Sequence, residues 1–287
     1  MLQMIQRYRR LWLGGVLVSL FNLPLQLFAQ QTDQSVNRQP KLTQGSLFIG
    51  QTDPDNTVIY HNKLVMIDDN GQFILGFGRD AKLEQIYTIT DKSGQTTQHK
   101  LLLAPREYEI QRITGVEGKY VTPPKSRLER IRDDNRQIGQ ARAIRSETAY
   151  FNEGFLRPSI GRVTGVYGSQ RYFNGKPRNP HYGLDYAAPT GTKVIAPATG
   201  TVVLAHPDMY FSGGTIIIDH GMGLNTTFLH LSKLDVKVGD KVTQGEKIGE
   251  VGATGRVTGP HLDWRVNWGS VRLDPALVME TLPVTTP

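Results

Sequence analysis

The sequence predicts a mainly β protein, with two β units joined by one helix. Thirty glycines and 16 prolines among 287 residues indicate frequent turns, which favours a β-rich architecture over a helical bundle. Short runs of β-branched and aromatic residues lie between these turns over most of the chain, as expected for strands. Apolar residues make up 38% of the chain, which is enough to bury a core and excludes a disordered protein on composition.

Residues 1–29 have the pattern of a signal peptide. A basic patch at residues 7–10 precedes the apolar run Leu11–Leu20, and the segment ends on the small residue Ala29, which suits cleavage by signal peptidase. An uncleaved anchor is the alternative, although polar residues and a proline at 22–26 interrupt the ~20 apolar residues that a spanning helix needs. In both cases we expect the rest of the chain to lie outside the cytoplasm.

Residues 30–41 and 42–122 are predicted to be a flexible lead-in and an immunoglobulin-like β domain. The lead-in is polar throughout. In the segment that follows, short apolar runs are separated by turn signals rich in Asp, Asn and Gly. Closely spaced short strands of this kind predict a small sandwich of the immunoglobulin type. His61 and His99 stand alone in this domain, and we expect them to have no part in chemistry.

Residues 123–154 are predicted to contain a linker helix. The stretch from Lys125 to Arg145 has no proline and one glycine, and a thin apolar stripe is surrounded by arginines. This pattern is typical of an amphipathic helix. The arginines either face solvent on a helix that packs against a neighbour or contact an anionic polymer.

Residues 155–280 are predicted to form an antiparallel β-sheet or roll, since strand-like runs punctuated by Gly and Pro fill the segment. Five of the seven histidines of the chain fall here. Among them, His220 lies at a strand end and is expected to be a hydrogen-bonded structural residue. The chain has no cysteine, which excludes disulfides, a Cys nucleophile and Cys-ligated metals. Any metal site must therefore use His, Asp and Glu.

Two histidine–aspartate pairs in this segment are candidates for one metal site. His181 and Asp185 are four positions apart and can converge on one cation through a nitrogen and an oxygen. His261 and Asp263 are two positions apart, so in a strand both side chains point to the same face. His230 follows the apolar end of another strand. From the residues alone, structural histidines and acidic loop residues remain the alternative.

The same stretches resemble the lysostaphin-type zinc metallopeptidases, also called LytM-domain murein endopeptidases. The resemblance extends from about Phe155 to Pro275, and its motifs stand in the order of that family. The matching segments are Gly165–Gly168, His181–Thr192, Ala196–Gly200, Gly214–Gly221, Phe228–Ser232, Val238–Gly245, Gly249–Gly255 and Thr258–Trp264. The resemblance implies a LytM-type peptidase fold for this domain.

The resemblance also implies a role for each matched residue. His181 and Asp185 correspond to two zinc ligands, and Asp263 stands where the family has its third ligand, a histidine. His230 and His261 correspond to the two histidines that assist catalysis. One Zn²⁺ bound by His181, Asp185 and Asp263 is therefore expected. Because a second carboxylate makes the ligand set harder and more anionic, Mn²⁺ or another divalent ion is the alternative, with a less acidified bound water.

The implied activity is that of an exported metal-dependent endopeptidase that hydrolyses peptide cross-links of bacterial peptidoglycan. A metal-activated water would attack the peptide, assisted by His230 and His261. Asp263 leaves a second function open, that of a non-catalytic LytM-type factor that binds the cell wall or activates a murein amidase. A biotinyl or lipoyl carrier is disfavoured, since Lys241 and Lys247 lack the hairpin context of a modified lysine.

Peptidoglycan is the expected partner, with a murein amidase or another division or cell-envelope protein as a second one. The net charge is +7, but three of the arginines belong to the N-terminal segment, and no nucleic-acid-binding motif is present, so no nucleic acid is expected. Membrane contact is expected only through an uncleaved N-terminal segment. The expected location is the periplasm or the cell envelope.

Overall fold

The computed structural model describes residues 41–115 and 117–284. The predicted signal peptide, and the predicted lead-in up to residue 40, lie outside the described residues. Antiparallel β-sheet is the main secondary structure of the described chain, which confirms the mainly β fold class. In this part of the chain, none of the helices combines the length and the hydrophobicity needed to cross a bilayer.

The N-terminal region contains two antiparallel sheets around one apolar core. Its strands are β1 (Leu47–Gln51), β2 (Thr57–Tyr60), β3 (Lys63–Val65), β4 (Gln72–Gly76), β5 (Glu84–Thr90), β6 (Thr96–Leu102) and β7 (Ile110–Ile113). β1 pairs with β4, and the second sheet has the order β3-β2-β5-β6. Phe48, Phe73, Phe77 and Tyr87 are buried together between the sheets, which gives this region a core of its own.

Three α-helices and two short 3-10 helices (Lys125–Arg127 and Tyr150–Glu153) are present among the described residues, and the longest α-helix lies inside the stretch where the sequence predicts a linker helix. The α-helices are α1 (Gly118–Val121), α2 (Leu128–Ala143) and α3 (Pro275–Thr281). The apolar stripe of α2 brings Ile138 and Ala141 against Leu204 and Ile217 of the C-terminal domain. The helix is therefore packed on that domain along its stripe.

The C-terminal domain is built on one ten-stranded sheet. Its region contributes β8 (Arg162–Gly165), β9 (Gln170–Phe173), β10 (Lys176–Pro177), β11 (Leu184–Ala187), β12 (Lys193–Ile195), β13 (Gly200–Met209), β14 (Gly213–Asp219), β15 (Leu224–Leu234), β16 (Lys241–Val242), β17 (Lys247–Val251), β18 (His261–Trp268) and β19 (Val271–Leu273). The main path is β16-β13-β14-β15-β18-β11-β8, and all its pairs are antiparallel. Strands β12, β17 and β19 join this path through β15 and β18.

β7 leaves the N-terminal sheets and pairs with the C-terminal region. It runs parallel to β9, with Arg112 opposite Tyr172. β9 also pairs with β10, so the three strands form a separate small sheet in the order β10-β9-β7. The last strand of the segment predicted as one N-terminal domain thus completes a sheet of the other region. Tertiary pairing of this kind has no local signal in the sequence.

The residue alternation of β18 gives the large sheet two different faces. The even-numbered residues from Leu262 to Val266 belong to the main apolar core. The odd-numbered residues His261, Asp263 and Arg265 line a cleft on the opposite face. This follows from the two-residue period of a strand. Helix α2 packs on part of the same face and borders the cleft.

His220 is a structural histidine, as the sequence predicts. Its ring is buried, and its Nδ1–H donates to the Thr199 carbonyl at 2.8 Å, while its Nε2 accepts from the Thr226 hydroxyl at 2.8 Å. Both ring nitrogens are therefore satisfied in the neutral form. Burial lowers the pKa of His220 to about 4.

The pKa of His220 leads to a prediction about acid stability. The folded pKa of about 4 lies below that of an unfolded histidine, about 6.5. The contribution of neutral His220 to the free energy of unfolding is therefore fully present above pH 6.5 and is lost as the pH falls through 4. The total loss of unfolding free energy should be about 3 kcal/mol. Urea unfolding at about pH 7 and about pH 4.5 should show a smaller pH dependence for His220→Gln than for the unaltered chain. Equal pH dependence of the two proteins would contradict the assignment.

Candidate metal centre

The structure brings together all five residues predicted to form the site. Asp185, His230, His261 and Asp263 line one cleft on the open face of the large sheet. His181 lies next to them, with its Nε2 at 3.0 Å from Asp185 Oδ1. The five residues come from four separate segments of the domain, and the sheet places them side by side.

Antiparallel pairing sets the two aspartates directly opposite each other. In the register of β11 and β18, Asp185 faces Asp263 and Ala187 faces His261. Both carboxylates are buried, at 5% and 2% exposure. Two like charges opposite each other on one face of a sheet are unfavourable, and more so when water is excluded. The register therefore brings two buried negative charges together, and they need cationic partners to be stable.

His181 is held from its backbone and carries an unsatisfied ring. Its N–H donates to the Ser169 carbonyl at 2.8 Å, and its own carbonyl accepts from Gly168 N–H at 2.7 Å. The residue is 1% exposed, yet neither ring nitrogen forms a hydrogen bond with a described residue, and the same is true of Asp185 Oδ1. The short contact between these atoms lacks hydrogen-bond geometry. A cation bound between His181 and Asp185 would satisfy such buried polar atoms, which otherwise lack a partner.

Each of the two carboxylates also has an arginine partner. Arg171 Nη2 donates to Asp185 Oδ2 at 2.7 Å. Arg265 donates to both oxygens of Asp263, from Nε at 2.9 Å and from Nη2 at 2.6 Å. Burial alone would raise the pKa of Asp263, but Arg265 and His181 hold it well below its usual value. The second carboxylate of the expected ligand set is thus offset by Arg265, so the centre is less anionic than the sequence alone suggests.

His181, Asp185 and Asp263 fit a divalent cation. One ligand atom from each residue lies within 4.8 Å of the others. Ligands bound at about 2.0–2.2 Å in a tetrahedral arrangement lie roughly 3.3 Å apart, close to the separation of His181 Nε2 and Asp185 Oδ1. Because a carboxylate has about four lone-pair sites, Asp263 can keep Arg265 and still offer one to a metal. The nitrogen and oxygen donors suit Zn²⁺ and also Mn²⁺.

Two further histidines border the centre with their ring centroids 4.9 Å apart. His230 Nδ1–H donates to the Thr254 carbonyl at 2.8 Å, and His261 Nδ1–H donates to the Gly259 carbonyl at 2.9 Å. In each ring this fixes the tautomer and leaves Nε2 as the basic nitrogen. Burial, with the adjacent His261, lowers the pKa of His230 to about 4, so His230 is neutral at pH 7.

The backbone at His230 is in the left-handed region, with φ at 66°. Its N–H donates to the Ser212 carbonyl at 2.8 Å, which ties the residue to the start of β14. A positive φ is unfavourable for a residue other than glycine, and such strain is often found at functional sites. The position of this ring is therefore determined by the surrounding fold.

Sequence reasoning missed four residues that shape the centre. Two are the arginine partners Arg171 and Arg265. The others are Gly165 and Gly183, since a Cβ at either position would lie 2.1 Å or 2.2 Å from an oxygen of Asp185 or Asp263. The sequence could have indicated Arg265, because it stands two positions after Asp263 in the same strand and therefore lies on the same face of the sheet. The other three depend on pairings between distant segments.

The cleft beside this centre has a volume of about 1020 Å³. Its floor is the face of the large sheet that carries Asp263. Helix α2 contributes Arg142 to one border, while the small sheet contributes Arg112 from β7 and Phe173 from β9. A cavity of this size, open beside buried and unsatisfied ligand atoms, is a suitable site for a peptide-sized ligand.

Comparison with known proteins agrees with this geometry. Residues 179–275 match the model of peptidase family M23, and this range contains all five site residues. The peptidoglycan DD-endopeptidase ShyA of Vibrio cholerae serotype O1 is 47% identical over 89 residues, covering 30% of this chain and 20% of the relative. ShyB of the same organism, also a peptidoglycan DD-endopeptidase, is 37% identical over 187 residues, covering 65% of this chain and 39% of the relative.

A crystal structure from Pseudomonas aeruginosa, whose name assigns it to peptidase M23, superposes with a TM-score of 0.67. It is 28% identical and covers 86% of this chain and 99% of that chain, so the likeness includes the N-terminal region. The chain spans between a fifth and two fifths of the length of the two curated relatives. The motifs, the converging site residues and these matches together identify residues 179–275 as a peptidase family M23 domain of the LytM and lysostaphin type.

Proposed function

We propose that this protein is an exported, metal-dependent endopeptidase that hydrolyses peptide cross-links of peptidoglycan. The observation that carries the proposal is the buried group of His181, Asp185 and Asp263, with unsatisfied ligand atoms, beside His230 and His261 at an open cleft. The M23 domain supports peptidase chemistry. The similarity to two peptidoglycan DD-endopeptidases supports the substrate class.

The arrangement of the site suits amide hydrolysis. Lewis-acid activation of water and of the scissile carbonyl is the chemistry that Zn²⁺, or alternatively Mn²⁺, supplies when held by His181, Asp185 and Asp263. His230 and His261 each have Nδ1 engaged and Nε2 basic, so they can accept a proton from the attacking water and return it to the leaving amine. In protonated form, either ring can stabilise the oxyanion of the tetrahedral intermediate.

Digestion of purified murein tests the proposal directly. The full chain should convert cross-linked fragments into smaller peptides, as measured by mass spectrometry. A chelator should stop the reaction, and Zn²⁺ should restore it. Unchanged murein in the presence of either Zn²⁺ or Mn²⁺ would sink the proposal.

His230→Ala separates proton transfer from metal binding. Turnover should fall by about a hundredfold to ten-thousandfold, which is the usual contribution of a positioned acid or base. Metal content should stay at the level of the unaltered chain, because His230 is not among the three grouped ligands. Both quantities can be measured on one preparation, by murein digestion and by elemental analysis. Unimpaired turnover would exclude His230 from the reaction.

A second function is favoured by the ion pair of Asp263 and Arg265. Because an arginine already offsets each buried carboxylate, the centre is electrically balanced without a metal. That property suits a non-catalytic factor that binds the cell wall or activates a murein amidase. Murein binding without digestion, together with faster digestion by an added amidase, would establish this function in place of the first.

We further propose that residues 1–29 direct export to the periplasm or the cell envelope, where the substrate lies. The basic patch at 7–10 followed by the apolar run Leu11–Leu20 supports this. N-terminal sequencing of the protein from an envelope fraction should begin near Gln30. Recovery in the cytosol of a chain that begins at Met1 would contradict export.

A further inference from the structure

Arginine dominates the charged lining of the cleft. Seven arginines line it, whereas the acidic residues there are Asp185 and Asp263, and neither lysine nor glutamate lies among its described lining residues. The arginines belong to several separate elements of both regions and are Arg112, Arg142, Arg145, Arg171, Arg256, Arg265 and Arg272. The cleft is therefore strongly cationic.

Only Arg171 and Arg265 are paired with the two carboxylates of the centre. Within the described parts of the chain, no carboxylate lies within 4.0 Å of any of the other five arginines. Positive charge in the cleft thus exceeds what the protein itself neutralises. An anion that entered would meet donors that are not already committed to an internal acid.

Two of these arginines are held in place by hydrogen bonds to uncharged side chains. Arg142 Nη2 donates to Thr227 Oγ1 at 3.1 Å, while its buried Nε has no described hydrogen-bond partner. Arg272 Nη1 donates to the Asn267 side-chain oxygen at 2.8 Å. These contacts order the side chains without neutralising them. Ordered donors lose less entropy when a ligand binds.

Arg256 is placed by aromatic rings. Its guanidinium lies 4.9 Å from the ring centroid of Phe173 and 4.7 Å from that of Phe211. Cation–π contacts of this kind fix the plane of the guanidinium and leave its edge donors available. The ring of Phe173 belongs to the small β10-β9-β7 sheet, so this sheet helps to position a charge in the cleft.

The arginines also repel one another. Burial lowers the pKa of Arg256 and of Arg272 to about 10, and the charge of Arg265 adds to both shifts. Burial likewise lowers the pKa of Arg142, with Arg272 as the next contribution. With a pKa of about 10, Arg256 and Arg272 remain charged at neutral pH, so the repulsion between these arginines persists until an anion relieves it.

We infer that the cleft binds peptides through their carboxylates and that Arg142, Arg256 and Arg272 are the anion-binding side chains. This inference rests on the proposed peptidase function and narrows its substrates to peptides with more than one carboxylate. Arg142 lies in α2, Arg256 in the loop that precedes β18, and Arg272 in β19. Because these are separate elements, the three side chains contact an extended acidic chain at separate points.

A carboxylate is favoured over other anions for two reasons. The planar fork of arginine matches the two oxygens of a carboxylate and forms paired hydrogen bonds with it. In addition, the arginines share one cleft with the M23 centre, where a substrate peptide must lie for hydrolysis. A nucleic acid would satisfy the same charges with phosphates, so a DNA oligonucleotide is the competing ligand.

Titration calorimetry on the full chain tests the inference. The probe is a synthetic pentapeptide with one glutamate side chain and a free C-terminal carboxylate. Its neutral analogue carries glutamine and a C-terminal amide. Mass spectrometry afterwards verifies that the peptides are intact. The acidic peptide should bind about tenfold more tightly, which corresponds to one charge-assisted hydrogen bond. Added salt should reduce the difference.

Variants locate the site within the cleft. Arg142→Gln and Arg272→Gln should each remove most of the preference for the acidic peptide. Arg132→Gln is the matched control, since Arg132 lies on the same helix but is exposed and outside the cleft. Arg256→Lys keeps the positive charge but loses the planar guanidinium. It should lower the affinity for the acidic peptide and leave the affinity for the neutral peptide unchanged. Circular dichroism melting verifies that each variant is folded.

Equal affinity for the two peptides, or equal loss in Arg132→Gln and Arg142→Gln, would overturn the inference. So would a DNA oligonucleotide that binds more tightly than the acidic peptide. Binding does not require hydrolysis, so the two proposals can fail separately. If murein stays uncut while the charge preference persists, the endopeptidase function fails and the anion site stands. If murein is cut and charge has no effect on binding, only the anion site fails.

Discussion

Replacing His181 with alanine should remove both the bound metal and the hydrolysis of peptidoglycan. His181 is the single nitrogen donor of the three grouped ligands, and its buried ring has no hydrogen-bond partner among the described residues. Without it, Asp185 and Asp263 remain as two oxygen donors, each already bonded to an arginine. Since loss of an outer-shell partner alone costs 10–100-fold, loss of a ligand should lower activity by more than about a hundredfold.

Elemental analysis and murein digestion measure the two effects on one preparation. His206→Ala is a matched control, because His206 lies in β13 outside the cleft and its Nδ1 accepts from the backbone N–H of Asp208, at 3.1 Å. The control should keep metal and activity. Retention of either metal or hydrolysis by His181→Ala would show that the group is not the reactive centre.

The second large effect is expected from Arg265→Met, measured in the presence of a chelator. The variant removes both hydrogen bonds to Asp263 and leaves a carboxylate that is 2% exposed without its main counter-charge. Breaking one side of a buried ion pair typically costs 3–5 kcal/mol. Because the Arg265 side chain is 22% exposed, we expect the lower end, about 3 kcal/mol of unfolding free energy.

Urea unfolding with and without Zn²⁺ measures this loss and its cause. Zn²⁺ should restore part of the stability, because the ion replaces the missing positive charge beside Asp263. Asp263→Asn in the Arg265→Met background should also restore stability, since both charges are then removed. A cost below about 0.5 kcal/mol for Arg265→Met would mean that the pair contributes no more than a surface ion pair.

Local patterns predicted much of the site. The spacing of His261 and Asp263 places them on one face of a strand, and the structure shows them together in β18. The thin apolar stripe after Pro124 predicted a helix, and Leu128–Ala143 is helical. These features follow from periods of two and 3.6 residues, which are visible in any short window of sequence.

The features of the site that the sequence did not predict depend on contacts between segments far apart in the chain. The register that sets Asp185 opposite Asp263 joins strands far apart in the chain. The arginines of α2 illustrate the same limit: periodicity shows which of them share a face but not what that face meets. Arg142 borders the cleft and bonds Thr227, whereas Arg132 is exposed to solvent. Arg132 thus has the solvent-facing environment expected for this helix, while contact of the arginines with an anionic polymer stays a prediction.

The parallel pairing of β7 with β9 adds chain from outside the family match to the lining of the cleft. The M23 match begins at residue 179, after both strands and after helix α2. The matched segment carries the reactive groups, yet Arg112, Arg142 and Phe173 reach the cleft from the chain before it. Evolution could therefore alter what the cleft accepts through this preceding chain while the reacting groups stay unchanged. The proposed chemistry and part of the proposed selectivity would thus be inherited through different stretches of one polypeptide, with Arg256 and Arg272 remaining inside the matched segment.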